Sequence, residues 1–175
     1  MPQIVTTTYD STTDSNALTC SLAALPTSAS LIAGRQSSII DNSSNQFVDL
    51  QIMGQVMTGT TPVAGTLALY AFSLIKRAAS VNTYPLAGAT ALGATDAAAT
   101  FDAEQLQSIP QIWSSANNTT SNRGYPILVR SLAAFFGGTL PMFMGLFFAH
   151  SSGVNLHATA ANHWLHWQGI KFTST

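Results

Sequence analysis

The residues best suited to chemistry are four histidines, and three of them, His157, His163 and His166, lie within ten residues of one another. Histidine is the commonest metal ligand and the usual general base near neutral pH. His163 and His166 are an odd number of positions apart, so on a strand their side chains point to opposite faces. No aspartate or glutamate follows Glu104 in the sequence to complete a metal shell there. We therefore expect polar or interface histidines and no metal site.

Carboxylate or serine catalysis is not indicated either. The chain has seven carboxylates, and the closest pair in sequence, Asp102 and Glu104, lies at the edge of a predicted loop. A general acid–base pair has to be held in a cleft that shifts its pKa values, and the pattern provides none. The sequence also lacks the glycine-rich nucleotide-binding motifs and the Gly-x-Ser-x-Gly turn. It therefore predicts no enzyme, no catalytic residue and no cofactor.

The aromatic residues suggest a different function, a platform for sugar rings. The candidates are Trp113, Trp164, Trp167, Tyr70, Tyr84 and Tyr125. Carbohydrate-binding sandwiches use exposed aromatic faces, but tryptophan and phenylalanine also fill cores and anchor subunit interfaces. Packing is the simpler interpretation, and glycan binding stays open as the alternative.

Charged residues make up 7% of this chain of 175 residues, against about 25% in an ordinary soluble domain. A surface with so few charges, and a net charge of −1, favours association. The six basic residues are scattered, which predicts no nucleic-acid partner. The longest apolar stretch, 140–149, is too short for a membrane-spanning helix of roughly 20 residues, and the N-terminus lacks a secretory pattern. The composition predicts a component of an assembly.

Proline and glycine interrupt the chain at short intervals, and period-two alternation replaces helical periodicity. It is clearest over 46–57, where Val48, Leu50, Ile52 and Val56 share one side. A pair of strands, or one strand bent around Gly34, is predicted at 31–40. Further strands are predicted at 66–74, 109–113, 125–132, 142–149 and 163–172, with a short helix near 102–106. About eight short strands separated by turns predict an all-β fold, a jelly-roll-like antiparallel β-sandwich.

Two segments stand apart from this pattern. Residues 1–16 are almost wholly polar and predict an extended N-terminal arm, followed by one β-sandwich domain over 17–175. Residues at about 76–103 are rich in Ala, Thr and Gly and predict a long loop. We expect the arm to lie on a partner and to use its few apolar residues, Ile4, Val5 and Tyr9.

The predicted strand at 142–149 is apolar on both faces, so both must be covered. The sandwich core covers one face. The other needs either the Ala-rich loop at 86–100 or a second subunit, and we predict a homo-oligomer. The candidate interface residues outside the arm are Phe143, Phe147, Trp164 and Trp167.

Two parts of the chain also resemble a known family. Gly-Arg-Gln-Ser-Ser at 34–38, Asp-Asn-Ser-Ser-Asn at 41–45 and Thr-Gly-Thr-Thr-Pro at 58–62 resemble small virion proteins of tailed bacteriophages. The stretch from Pro141 to Leu156, and then 163–169, resembles the end of the same proteins. The likeness covers about residues 31–75 and 125–172, and 76–124 matches nothing in that family.

These proteins are similar to head decoration, or cement, proteins, which are jelly-roll-like modules bound outside the shell, often as trimers. The resemblance implies a structural virion protein on the outer capsid surface that cements neighbouring coat subunits. It implies two partners, the major capsid protein and further copies of the chain, with a trimer preferred, and no active site. The alternative is a glycan-binding β-sandwich module of a phage fibre or head appendage.

Overall fold

The computed structural model describes residues 5–9, 16–77, 81–83 and 95–174. The strands in this part are β1 (Val5–Tyr9), β2 (Ala33–Gln36), β3 (Ile40–Asp41), β4 (Asp49–Met57), β5 (Gly65–Arg77), β6 (Val81–Thr83), β7 (Ala97–Thr100), β8 (Gln111–Asn117), β9 (Gly124–Val129), β10 (Phe143–His150) and β11 (Trp164–Ser174). The helices are α1 (Ala103–Leu106) and two 3₁₀ turns, Ala133–Phe136 and Ala160–Asn162. The prediction of an all-β antiparallel sandwich is confirmed.

The strands form two sheets. Sheet A has the order β1-β11-β4-β9, and sheet B has the order β6-β5-β10-β2-β7, with β3 also pairing with β10 and β8 also pairing with β5. The pairs β3–β10, β4–β9 and β5–β8 are nested in sequence and all antiparallel. Such nesting arises when one long hairpin folds across two sheets, which is the jelly-roll arrangement.

The main core lies between the facing sides of sheets A and B. Alternation in β4 sends Leu50, Ile52 and Val56 into this core, where each is fully buried. Burying one such side chain stabilises the fold by about 1.5–3 kcal/mol. The predicted alternation is therefore confirmed within β4. Val48 is the exception, because it precedes the strand and is 37% exposed.

Sheet B is covered on both faces by this chain. Every residue of β10 is buried. The face turned away from sheet A packs under the segment 97–109, whose buried side chains are Ala99, Phe101, Leu106 and Ile109. The ring centre of Phe101 lies 4.6 Å from that of Phe147. The chain's own segment, which includes Ala99 of the predicted 86–100 loop, therefore provides the second cover, and Phe143 and Phe147 do not require a second subunit.

The segment predicted as a loop at 76–103 is more regular than expected where it is described. β5 continues to Arg77, and β6 and β7 lie within the segment; residues 78–80 and 84–94 are outside the described residues. β7 pairs with β2 through four residues, three of them alanine. The small side chains explain why the pattern lacked a strand signal, since alanine is depleted in strands.

One ion pair ties this region to the chain near Cys20, and it is the single ion pair in the described part of the protein. Arg35 Nε donates to Asp96 Oδ1 at 2.5 Å, and the Ser21 backbone N–H donates to the same carboxylate at 3.1 Å. Burial opposes ionisation of Asp96, but the hydrogen bonds from Arg35 and Ser21 outweigh it and lower the pKa. Burial raises the pKa of the Cys20 thiol, so the thiol stays protonated.

The described parts of the predicted arm lie on the chain's own β11. β1 pairs with residues 170–174. The chain then meets β11 again, where Trp167 N–H donates to Asn16 O at 3.0 Å and Leu18 N–H donates to Leu165 O at 2.8 Å. The described residues of the arm thus form the edge of sheet A. Residues 1–4 and 10–15 are outside the described residues.

The close contact between β2 and β10 depends on Gly34. A Cβ at this position would clash with the backbone oxygen of Phe148, whereas a Cβ at Gly124 would lie 3.3 Å from the flexible end of the Gln55 side chain. We expect Gly34→Ala to lower the free energy of unfolding by about 1–3 kcal/mol. The matched variant Gly124→Ala should change it by less than about 0.5 kcal/mol. Urea denaturation of both variants checks this, and equal effects would contradict it.

Candidate interaction surface

The most exposed apolar surface described lies on the outer face of sheet A, which points away from the core. The alternation that buries Leu50 and Ile52 turns the odd-numbered residues of β4 outwards. Five large apolar side chains of this face are 39–59% exposed: Tyr9, Met53, Leu128, Trp164 and Phe172. Single exposed apolar residues are common, but several on one sheet face indicate an interaction site.

Strand register sets the arrangement of this face. His166, Met53 and Leu128 lie in one row across β11, β4 and β9. At the other end of β11, Phe172 pairs with Thr7 of β1, and Tyr9 pairs with Ile170. The apolar side chains therefore lie at both ends of the face.

The outer face carries almost no charge. Among the outward positions of β4, β9 and β11, Asp49 is the one carboxylate. Its Oδ1 accepts the backbone N–H groups of Leu50 at 2.8 Å and of Ala133 at 2.9 Å, so it is used within the chain. The remaining polar side chains include the amides Gln51, Gln55 and Gln168. A partner on this face would be held by apolar contact and hydrogen bonds, with little contribution from charge.

The structure separates the predicted interface residues. Tyr9 and Trp164 lie on the outer face, and the Trp164 ring is edge-on to His166 at 5.5 Å. Trp167 points the other way, is half-buried and packs against Phe47 at 5.7 Å. Phe143 and Phe147 are buried in sheet B, as described above. Ile4 lies outside the described residues, and the side chain of Val5 is not described.

Sequence reasoning missed three members of this face, Met53, Leu128 and Phe172. Met53 and Leu128 occupy outward positions in strands whose inward residues are more strongly apolar, whereas Phe172 lies between the inward residues Lys171 and Thr173 of β11. The sequence pattern that could have predicted an exposed apolar residue is an apolar residue on the polar side of an alternating strand. The alternation in 46–57 was recognised, but Met53 was not placed on its polar side.

A groove of about 430 Å³ borders the outer face at the end where β11 begins. It runs between residues 17–23 and 160–166, and Trp164 and His166 are part of its lining. Thr19 and Ser21 add hydroxyl groups to the opposite side. This combination of an exposed aromatic ring and polar neighbours is the one feature that supports the glycan alternative.

The loop between β10 and β11 is fixed by its histidines. His163 Nδ1 accepts the Met57 N–H at 3.3 Å, while its Nε2 donates to His157 O at 2.8 Å, so the ring is neutral. His150 is fully buried, with its two ring nitrogens 2.9 Å from Ser152 Oγ and 3.0 Å from Leu25 O. Burial lowers the pKa of both histidines. His150 and His163 are therefore internal residues. His157 is half-buried and accepts the Thr159 N–H at its Nδ1, and the exposed His166 has the position that the expected interface role needs.

Comparison of the chain with protein-family models, with curated proteins and with solved structures finds no match in any of the three. No group of three potential metal ligands occurs within the described ranges. Among the same residues, no helix is long and apolar enough to span a membrane.

We expect the free energy of unfolding to decrease as the pH is lowered from about 7.5 to about 5. The pKa values of His150 and His163 in the folded chain lie below the ordinary value of 6.5. Between the folded and unfolded pKa values the unfolded chain binds more protons. The contribution of these two neutral rings to stability is therefore fully present above the unfolded value of 6.5 and is lost as the pH falls through the folded pKa values. Urea denaturation at stepped pH measures this loss.

A substitution at His163 assigns part of this loss of stability to its imidazole ring. Gln at position 163 can still accept from Met57 N–H and donate to His157 O, but it does not titrate. His163→Gln should therefore reduce the pH dependence of stability by the share of His163 and leave the share of His150. An unaltered slope in His163→Gln would contradict this account.

Proposed function

We propose that this chain is a structural protein of a phage virion, which binds the outside of the capsid and joins neighbouring coat subunits. The observation that carries the proposal is the outer face of sheet A, which combines five exposed large apolar side chains with almost no charge. The resemblance of residues 31–75 and 125–172 to head decoration proteins supports the same role. Its work is mechanical and requires no catalytic group.

The physical basis of attachment is burial of the outer face against a coat protein. Removing apolar surface from water contributes about 25 cal/mol per Å², and association costs several kcal/mol of lost motion. Burial of the five exposed apolar side chains of one copy therefore gives a modest affinity. A virion offers many equivalent sites, and linked copies of a weak binder attach much more tightly than one copy. Self-association is therefore part of the proposal, and the resemblance favours a trimer.

A glycan-binding module of a phage fibre or head appendage is the second candidate, favoured by the exposed Trp164 at the groove. It predicts binding of oligosaccharides that is lost in Trp164→Ala and retained in Phe172→Ala, an exposed aromatic residue near the other end of β11. A glycan array probed with both variants measures this. Absence of any signal from the wild-type chain would remove the candidate.

Capsid attachment should resist salt and depend on the outer face of sheet A. Charge pairs are screened within about 10 Å at 0.1 M salt, whereas apolar burial persists. We expect the protein to remain on shells in about 1 M NaCl and Met53→Lys to weaken attachment about tenfold or more, because it would bury an unpaired charge. Val63→Lys is the matched control, since Val63 is 53% exposed but lies in the loop before β5.

The assay is co-sedimentation of the purified protein with empty shells, followed by quantification of the bound fraction. Release of the wild-type protein by salt at neutral pH would contradict the apolar mechanism. Equal loss of binding in Met53→Lys and Val63→Lys would show that the outer face is not the attachment surface.

A further inference from the structure

The two edges of sheet A differ in how they are protected. Natural edge strands avoid pairing with other chains by carrying proline, charge or a bulge. β9 has Pro126 within the strand. β1, with the sequence Val-Thr-Thr-Thr-Tyr, has no proline or charge, and its register with β11 is regular throughout. Among the described residues, β1 is the end strand of the sheet, so one of its sides is open.

The hydrogen bonds of β11 show which backbone groups of β1 point to the open side. Trp167 N–H donates to Asn16 O, and Leu165 O accepts from Leu18 N–H, so odd-numbered residues of β11 face the β1 side. Ile170 O accepts from Val48 N–H on the β4 side, so even-numbered residues face away from β1. In an antiparallel ladder the residues that exchange bonds are directly opposite each other.

Lys171 and Thr173 therefore exchange backbone bonds with their partners Thr8 and Thr6. Because successive residues of a strand direct their N–H and C=O groups to opposite sides, the backbone groups of Val5, Thr7 and Tyr9 point to the open side. The backbone N–H and C=O groups of these three alternate residues are therefore available to pair with another strand at this edge.

We propose that β1 pairs antiparallel with β1 of a second copy of this chain, about a twofold axis at Thr7. In this register Thr7 lies opposite Thr7 of the second copy, and Val5 lies opposite its Tyr9. The residues whose backbone groups point to the open side of the edge therefore pair with one another. The three pairs supply about six backbone hydrogen bonds. Thr–Thr pairs are favourable across strands, and β1 itself contains no charged residue. The sequence of this edge is thus complementary to itself.

A twofold axis perpendicular to the sheet joins two copies of sheet A into one sheet of eight strands and leaves both outer faces on the same side. If the proposed function holds, such a pair binds two coat subunits at once, which is what a cementing protein needs. This consequence rests on the proposed function, whereas the pairing itself does not. The geometry favours a dimer as the unit, in place of the trimer implied by the resemblance.

Proline at position 7 tests the pairing specifically. Thr7→Pro removes an N–H on the open side, and proline is tolerated in edge strands when that N–H does not pair within the sheet. Thr7→Val keeps the N–H and the strand preference and is the matched control. By sedimentation velocity over a range of concentrations, we expect a monomer–dimer equilibrium for the wild type and Thr7→Val. Thr7→Pro should remain a monomer with an unchanged circular dichroism spectrum and unfolding midpoint.

A monomeric or trimeric wild type, or a dimer that persists in Thr7→Pro, would overturn the proposal. So would a wild type that is monomeric in solution but loses shell binding in Thr7→Pro, because a coat strand would then occupy the edge. A second measurement separates the pairing from the capsid role. Thr7→Pro should bind empty shells about 100-fold more weakly than Thr7→Val through lost avidity. If the dimer forms and no variant binds shells, the pairing stands and the proposed function fails.

Discussion

The fold depends on one constraint, that β10 is apolar on both faces and must be covered twice. Gly145, Phe147 and Ala149 alternate with Met144, Leu146 and Phe148, and none of them is accessible to solvent beyond a trace. One set packs into the core between the sheets and the other set packs under the segment from β7 to the residues after α1. Sheet B is thereby a middle layer. Sheet A covers one side of it and keeps its own outer face open.

Much of this architecture is predictable from alternation, because a strand with one buried face has an unmistakable period of two. β4 and β11 were predicted on that basis, and β5 and β10 from runs of apolar residues bounded by glycine and proline. A run without polar interruption shows that both faces are buried, but it does not say what buries them. Phe101, Leu106 and Ile109 are isolated apolar residues in a stretch without a clear period. Their packing together over Phe147 depends on the three-dimensional fold, and the local sequence pattern does not predict it.

The candidate surface was only partly predictable, for a related reason. Strand parity determines that Met53 and Leu128 share a face with Trp164 only once the register of β11, β4 and β9 is known. Register is set by contacts between distant segments: Met53 lies 75 residues from Leu128 and 113 residues from His166 in sequence. Trp167 illustrates the difficulty, since its type is suited to an interface but its odd-numbered position in β11 turns it towards Phe47. Residue type alone does not determine exposure.

The shortage of charge has opposite effects on the fold and on the surface. Inside, the described chain relies on one ion pair, and its buried polar groups are joined mainly to backbone, as in the bonds of His163 to Met57 and His157. Outside, the same shortage leaves the β1 edge and the outer face without the charge repulsion that normally keeps protein surfaces apart. An edge attracts through directional backbone bonds, and a face attracts through apolar area. The backbone bonds at the edge lie in the plane of the sheet, and the apolar contacts of the face lie perpendicular to that plane. One copy can therefore bind a partner at its edge and another at its face at the same time.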